Sequence, residues 1–212
     1  MFKYIIKNIN CCQISDLEKQ SSRFWLQYSS KFKNPLRRKQ ILLEGIILKQ
    51  LFGTHVQLFH YPSGQPYVSL PEQIRPYFPQ CHISISHSNE FLAIALGFSP
   101  VGIDMENLNR NFERIKHKFI ASDELIPDMN KKFLALLWSS KEAVYKLWAK
   151  KGLSFKQNIK IIPPAKIFSY GQTKAFILIN NKKINVNITY FLFKNQIFTI
   201  AKYDKHRKFP PQ

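Results

Sequence analysis

Asp104 and Glu106 stand two residues apart in VGIDMEN, Val101 to Asn107. Residues i and i+2 of a strand point to the same face, so this spacing sets two carboxylates close together. Left bare they repel, and a shared divalent ion, a neighbouring Lys or Arg, or water at an exposed edge would relieve the repulsion. WSSKEAVYK, Trp138 to Lys146, supplies further groups at helical spacing. Glu142 and Lys146 lie four apart on one face, with Trp138 one turn before Glu142 and Lys141 beside it. An ordinary i, i+4 ion pair, worth about 0.3 kcal/mol, accounts for Glu142 and Lys146 taken by themselves. A third carboxylate carried against the acidic strand would instead complete an all-oxygen site for Mg²⁺, with a lysine left over for a phosphate. The third cluster is Ser84-Ile-Ser-His-Ser88, whose hydroxyls, amides and imidazole can all donate to phosphate oxygens. By themselves the same residues read better as turn-capping serines and a surface histidine. A Ser/His nucleophile pair is the weaker reading, because no G-x-S-x-G elbow is present.

These groups need elements to hold them. Ser15 to Glu18 has the form S-x-x-E and predicts a helix over Asp16–Tyr28. Asn34-Pro35 supplies an N-cap and a first-turn proline for a second helix through ILLEGIILKQLF, stopped at Gly53. Five of the twelve prolines fall between Pro62 and Pro79, which predicts extended loop. His82–Ser86 and Phe91–Leu96 form a hairpin around His87 to Glu90, and Gly97 to Pro100 turns the chain into the acidic strand. A polar helix over Asn111–Phe119, a short one near Ser122–Met129 and a long one over Lys131–Lys151, ending before Gly152, come next. Three strands finish the chain: Lys174–Ile179, Ile184–Phe193 and Gln196–Ala201. Helices followed by antiparallel strands occur twice, so the fold class is α+β. The tail from His206 is expected to be disordered.

A chain of 212 residues, 45% hydrophobic, can bury a sizeable core. No run of about 18 apolar residues reads as a membrane span, and Lys3 and Lys7 interrupt the opening segment, unlike a signal peptide; the expected location is the cytoplasm. Cys11, Cys12 and Cys81 have neither disulfide-framework nor zinc-ligand spacing. The formal net charge is +19. Residues 1–101 hold 11 basic against 5 acidic residues, and residues 102–212 hold 21 against 8. Such a field attracts polyanions, whether nucleic acid, acidic lipid, acidic protein or a phosphate-rich small molecule. The lysines are scattered, as a compositional habit would also leave them.

In this order and at these separations, ISISHS, VGIDME and WSSKEAVYKLWAKKGLSF resemble the three signature motifs of the 4′-phosphopantetheinyl transferases, of the long Sfp-type branch. RRKQILLEGIILKQL and GQPYVSL are similar to that family's Arg-bearing helix and Gly-Lys-Pro loop, with Gln65 where Lys is usual. The resemblance implies two pseudo-symmetric halves, 1–100 and 101–212, each with helices packed on a small antiparallel sheet and with the active cleft between them. It implies a monomer that transfers 4′-phosphopantetheine from coenzyme A to a serine of an acidic apo carrier protein. By the same resemblance Asp104, Glu106 and Glu142 are Mg²⁺ ligands, Mn²⁺ being an alternative ion. Glu142 and Lys146 carry the catalysis. Arg37, Arg38, Ser86, His87, Lys141 and Lys146 contact coenzyme A. A metal-dependent nuclease or a basic nucleic-acid-binding protein is the competing expectation, for which the SHS hairpin has no obvious use.

Overall fold

The computed structural model describes residues 2–124 and 129–204. The end of the short helix expected near Ser122–Met129 and the tail from His206 lie outside the described residues. The chain divides into two compact units, Met1–Ser99 and Pro100–Gln212.

The first unit runs β1 (Phe2–Asn8), α1 (Ile14–Gln20), α2 (Arg23–Ser30), α3 (Pro35–Phe52), β2 (Gln57–His60), β3 (Pro66–Ser69), β4 (His82–His87) and β5 (Phe91–Gly97). Its three-stranded antiparallel sheet has the order β1-β5-β4, and β2 pairs with β3 in a two-stranded sheet. α3 starts as predicted: the Asn34 side chain accepts from Arg37 N at 3.1 Å, Pro35 follows, and Gly53 ends the helix at φ 88°. Gly45 lets Trp25 of α2 lie on α3, because a Cβ there would come within 2.3 Å of the indole. Trp25, Ile41, Leu48, Phe52, Val56 and Ile94 belong to the core of this unit.

Three expectations change here. The single helix over Asp16–Tyr28 is two helices, and the S-x-x-E box is not formed, since the N-cap is Gln13 with no side-chain cap bond. The break comes where Ser21 donates its hydroxyl to Leu17 O at 2.8 Å and Ser22 takes extended backbone. Such serine-to-backbone bonds compete with helix continuation. β1 was not foreseen, because an edge strand with Lys3 and Lys7 on it carries a weak apolar alternation. The proline-rich segment holds β3, which Pro66 can open because the first position of a strand needs no ladder donor.

The second unit runs β6 (Gly102–Asn107), a 3-10 turn leading into α4 (Lys116–Phe119), α5 (Lys131–Trp148), β7 (Ile159–Ile161), β8 (Tyr170–Ile179), β9 (Lys182–Phe193) and β10 (Gln196–Tyr203). The antiparallel sheet has the order β6-β10-β9-β8-β7. Asn180 and Asn181, at φ 48° and 57°, make the two-residue turn between β8 and β9, a backbone region asparagine tolerates. Asn130 caps α5 by accepting from Lys132 N and Phe133 N. The helix ends at Ala149, in left-handed conformation at φ 61°, three residues before the glycine expected to stop it. α5 lies across β6 and β10, with Leu134, Leu137, Val144, Ile159, Ile177 and Ile197 in the core. The class is α+β, as expected. Among the described residues no helix is long and apolar enough to cross a membrane.

Candidate active site

β6 carries Asp104 and Glu106, and α5 carries Glu142 and Lys146, so their mutual placement depends on how closely that helix meets that strand. Gly102 sets the approach. A Cβ at this position would lie 1.8 Å from Ala143 O and 2.7 Å from Leu147 N, both backbone atoms of α5. Sliding along the contact is restrained by hydroxyls: Ser139 Oγ and Thr199 Oγ1 are 2.8 Å apart, and Thr199 also donates to Ser139 O at 2.9 Å. Thr199 stands opposite Asp104 in the β6–β10 register, and both Ser139 and Thr199 are fully buried. Ser139 lies one helical turn before Glu142, so the hydroxyl pair sets the helix against the acidic strand.

Of the three ways to relieve the acidic pair, neighbouring cations are present. Lys146 Nζ donates to Asp104 Oδ1 at 2.8 Å, reaching from helix to strand. Glu106 Oε1 accepts from Arg110 at 2.5 Å and from Trp138 Nε1 at 2.6 Å. The Arg110 guanidinium also lies over the Trp138 ring, 5.2 Å from its centroid. Trp138 thus has a polar duty beyond packing on Phe119 and Phe155.

The electrostatics bring the third carboxylate in. Burial first, then the Asp104 and Glu106 charges, push the Glu142 carboxyl up to about 7, with Lys146 and Arg110 pulling the other way. Lys146 therefore acts on Glu142 as a nearby charge while its hydrogen bond goes to Asp104, which replaces the ion pair expected along the helix. Glu106 is also raised, by burial and then by Asp104. Among the described residues no three His, Cys, Asp or Glu side chains stand arranged to hold one metal ion. The donor chemistry nevertheless fits a hard divalent cation: three carboxylates in mutual repulsion, two of them already drawing in an ammonium and a guanidinium.

Lys141 requires a correction. Expected at coenzyme A, it is fully buried and turned into the second unit. Its ammonium donates to Glu124 Oε2 at 2.6 Å and to the carbonyls of Phe119, Ile159 and Phe155 at 2.7, 2.8 and 2.9 Å. Glu124 in turn accepts from Ala121 N and Ile161 N. An ammonium has three donors, and all are consumed inside the protein.

In the first unit Arg37 and His87 meet, with NH1 2.8 Å from Nε2. Arg38 is turned to Glu18 at 2.6 Å. Ser86 is buried on β4 opposite Ala93. Ser88 serves the hairpin turn by accepting from Glu90 N and Phe91 N, as the plain reading of these serines has it. Sequence reasoning passed over Gly102, Arg110, Glu124, Ser139 and Thr199. Only Gly102, a glycine next to an acidic strand, left a signal that could have been followed.

The second unit coincides with a family match. Residues 100–201 fit the model of the 4′-phosphopantetheinyl transferase superfamily, in agreement with the motif resemblance there. The chain is similar to a 4′-phosphopantetheinyl transferase of Bacillus subtilis, 33% identical over 97 residues, covering 43% of this chain and 40% of the relative. It is also similar to the 4′-phosphopantetheinyl transferase psf-1 of Bacillus pumilus, 32% identical over 136 residues, covering 60% and 57%. The matches span about half the length of these curated relatives.

Proposed function

We propose that this protein transfers the 4′-phosphopantetheine arm of coenzyme A to a serine hydroxyl of an acidic carrier protein and releases 3′,5′-ADP, in a Mg²⁺-dependent reaction. The observation that carries this reading is the meeting of β6 and α5, which brings Glu142 within electrostatic reach of Asp104 and Glu106 and sets Lys146 on Asp104 at 2.8 Å. The superfamily match over residues 100–201 supports the same chemistry.

Asp104, Glu106 and Glu142 would hold Mg²⁺, which when bound supplies Lewis-acid stabilisation of charge on the pyrophosphate. The serine oxygen forms a new bond to the phosphorus that bears pantetheine, the pyrophosphate P–O bond breaks, and 3′,5′-ADP leaves. Glu142, directly or through a water, receives the serine proton. Lys146 stabilises the negative charge on the leaving phosphate. Ser86, His87 and Arg38, with Arg37 as the alternative arginine, are assigned to coenzyme A by the motif resemblance, and the 2.8 Å contact of Arg37 with His87 favours Arg37. The 21 basic against 8 acidic residues of 102–212 would steer an acidic carrier, an attraction that weakens with salt.

The test is mass spectrometry of apo carrier proteins incubated with the enzyme, coenzyme A and Mg²⁺. A gain of one phosphopantetheine unit, lost with Asp104→Asn, is expected. No gain across acyl and peptidyl carriers, or Mg²⁺-dependent plasmid nicking by the same preparation, would sink the proposal.

A further inference from the structure

We infer that Glu44 and Gln40 position Arg37 against His87, so that the guanidinium is presented in one fixed orientation to a phosphate of coenzyme A; this deepens the coenzyme A reading and rests on it. Arg37, Gln40 and Glu44 fall at i, i+3 and i+7 of α3 and form one stripe along the helix. Arg37 NH1 donates to Gln40 Oε1 at 3.2 Å and to Glu44 Oε1 at 3.3 Å, and lies 2.8 Å from His87 Nε2. A guanidinium can only donate, so His87 accepts at Nε2 as a neutral imidazole with its proton on Nδ1. The other end of the Gln40 amide donates to Ser88 O at 3.1 Å, which ties the end of the SHS strand to the same helix. Phe32 lies beneath the guanidinium, 5.6 Å from ring centroid to Cζ.

Gln40 is 5% and Glu44 1% exposed, so both are held rigidly, while the Arg37 side chain keeps 29% of its surface. Buried acceptors gripping one edge of a partly exposed guanidinium are a preorganising arrangement, because the orientation is settled before an anion arrives. The charge balance agrees. Burial pushes the Glu44 carboxyl up to about 7 against the pull of Arg37, so near neutral pH it cancels only part of the arginine's charge. The acceptor at Oε1 matters more than the negative charge, and glutamine, which keeps an oxygen there, should substitute where leucine cannot.

The experiment compares wild type, Glu44→Leu and Glu44→Gln in the full-length chain. It measures calorimetric Kd for coenzyme A, and KM for coenzyme A against kcat in the carrier assay, with thermal melts confirming folding. Glu44→Leu should raise Kd and KM roughly tenfold and leave kcat within about twofold, while Glu44→Gln stays within about twofold of wild type throughout. A purely structural Glu44 would lower the melting temperature and leave Kd alone. Wild-type Kd in folded Glu44→Leu, or a fall in kcat at unchanged KM, overturns the inference. If Glu44→Leu does not fold, Gln40→Leu is read by the same criteria. Failure of the wild-type protein to bind coenzyme A overturns the coenzyme A reading and this assignment with it, whereas binding that Glu44→Leu retains removes this assignment alone.

Discussion

Replacing Lys141 by methionine separates a structural lysine from a substrate-binding one. Methionine is unbranched and of similar length, so it fills the channel with little cavity, and the effect isolates the lost ammonium. That ammonium is fully buried and lies within 2.9 Å of four oxygens, one of them on Glu124, whose own side chain is 3% exposed. Without it Glu124 keeps, among the described residues, its two backbone donors, Ala121 N and Ile161 N, as a buried carboxylate stripped of the Lys141 counter-charge. Removing one member of a buried pair typically costs about 3–5 kcal/mol, a large share of the roughly 5–15 kcal/mol that keeps a domain folded. Urea denaturation should therefore show Lys141→Met destabilised by about 3 kcal/mol or more. The double variant with Glu124→Gln should recover about 1–2 kcal/mol, because the uncompensated charge is gone. Coenzyme A affinity of the folded fraction should match wild type. A variant within about 1 kcal/mol of wild type that binds coenzyme A roughly tenfold more weakly would refute the reasoning and return Lys141 to the substrate.

Gly102→Ala should push α5 off β6, since the new Cβ would meet Ala143 O at 1.8 Å. A displacement of about 1 Å at a reacting group can lower turnover roughly 100-fold, so carrier modification should fall by that order and an unchanged rate would contradict the close approach. The Glu44 carboxyl stands at about 7 in the folded protein against its ordinary 4.5. Between those values the folded state holds one more proton than the unfolded state, so the stability linked to this group is complete below about 4.5 and is lost as pH rises through about 7. Its slope is at most about 1.4 kcal/mol per pH unit, and Glu44→Gln should flatten the pH dependence of the urea midpoint between pH 5 and 8; an unaltered slope excludes the group. At the proposed Mg²⁺ site the ion would favour the charged form of Glu142, so adding Mg²⁺ should release protons, more at pH 6 than at pH 8, as read by calorimetry in buffers of different ionisation enthalpy. Glu142→Gln should lose most of that release.

Local chemistry wrote much of the site into the sequence. Asp104 and Glu106 share a face because a strand has period two, and Glu142 and Lys146 share one because a helix has period 3.6; both rules need only neighbouring residues. The cap of α3 was legible for the same reason, since Asn34 and Pro35 act on their own first turn. The helix break at Ser21 and Ser22, the edge strand β1 and the early stop of α5 at Ala149 were not, because each depends on a backbone choice that several residues could make. Long-range contacts decided the rest. Whether Lys141 or Lys146 faces outward is invisible in KEAVYK, where both are lysines on one helix. The fold turns Lys141 onto Glu124 and three carbonyls, and Lys146 onto Asp104. The distance between helix and strand was settled by the missing side chain at Gly102 and the hydroxyl pair Ser139–Thr199, residues 60 apart in the chain. Periodicity assigns residues to faces, but only packing brings two faces together, and the raised Glu142 carboxyl arises from that meeting.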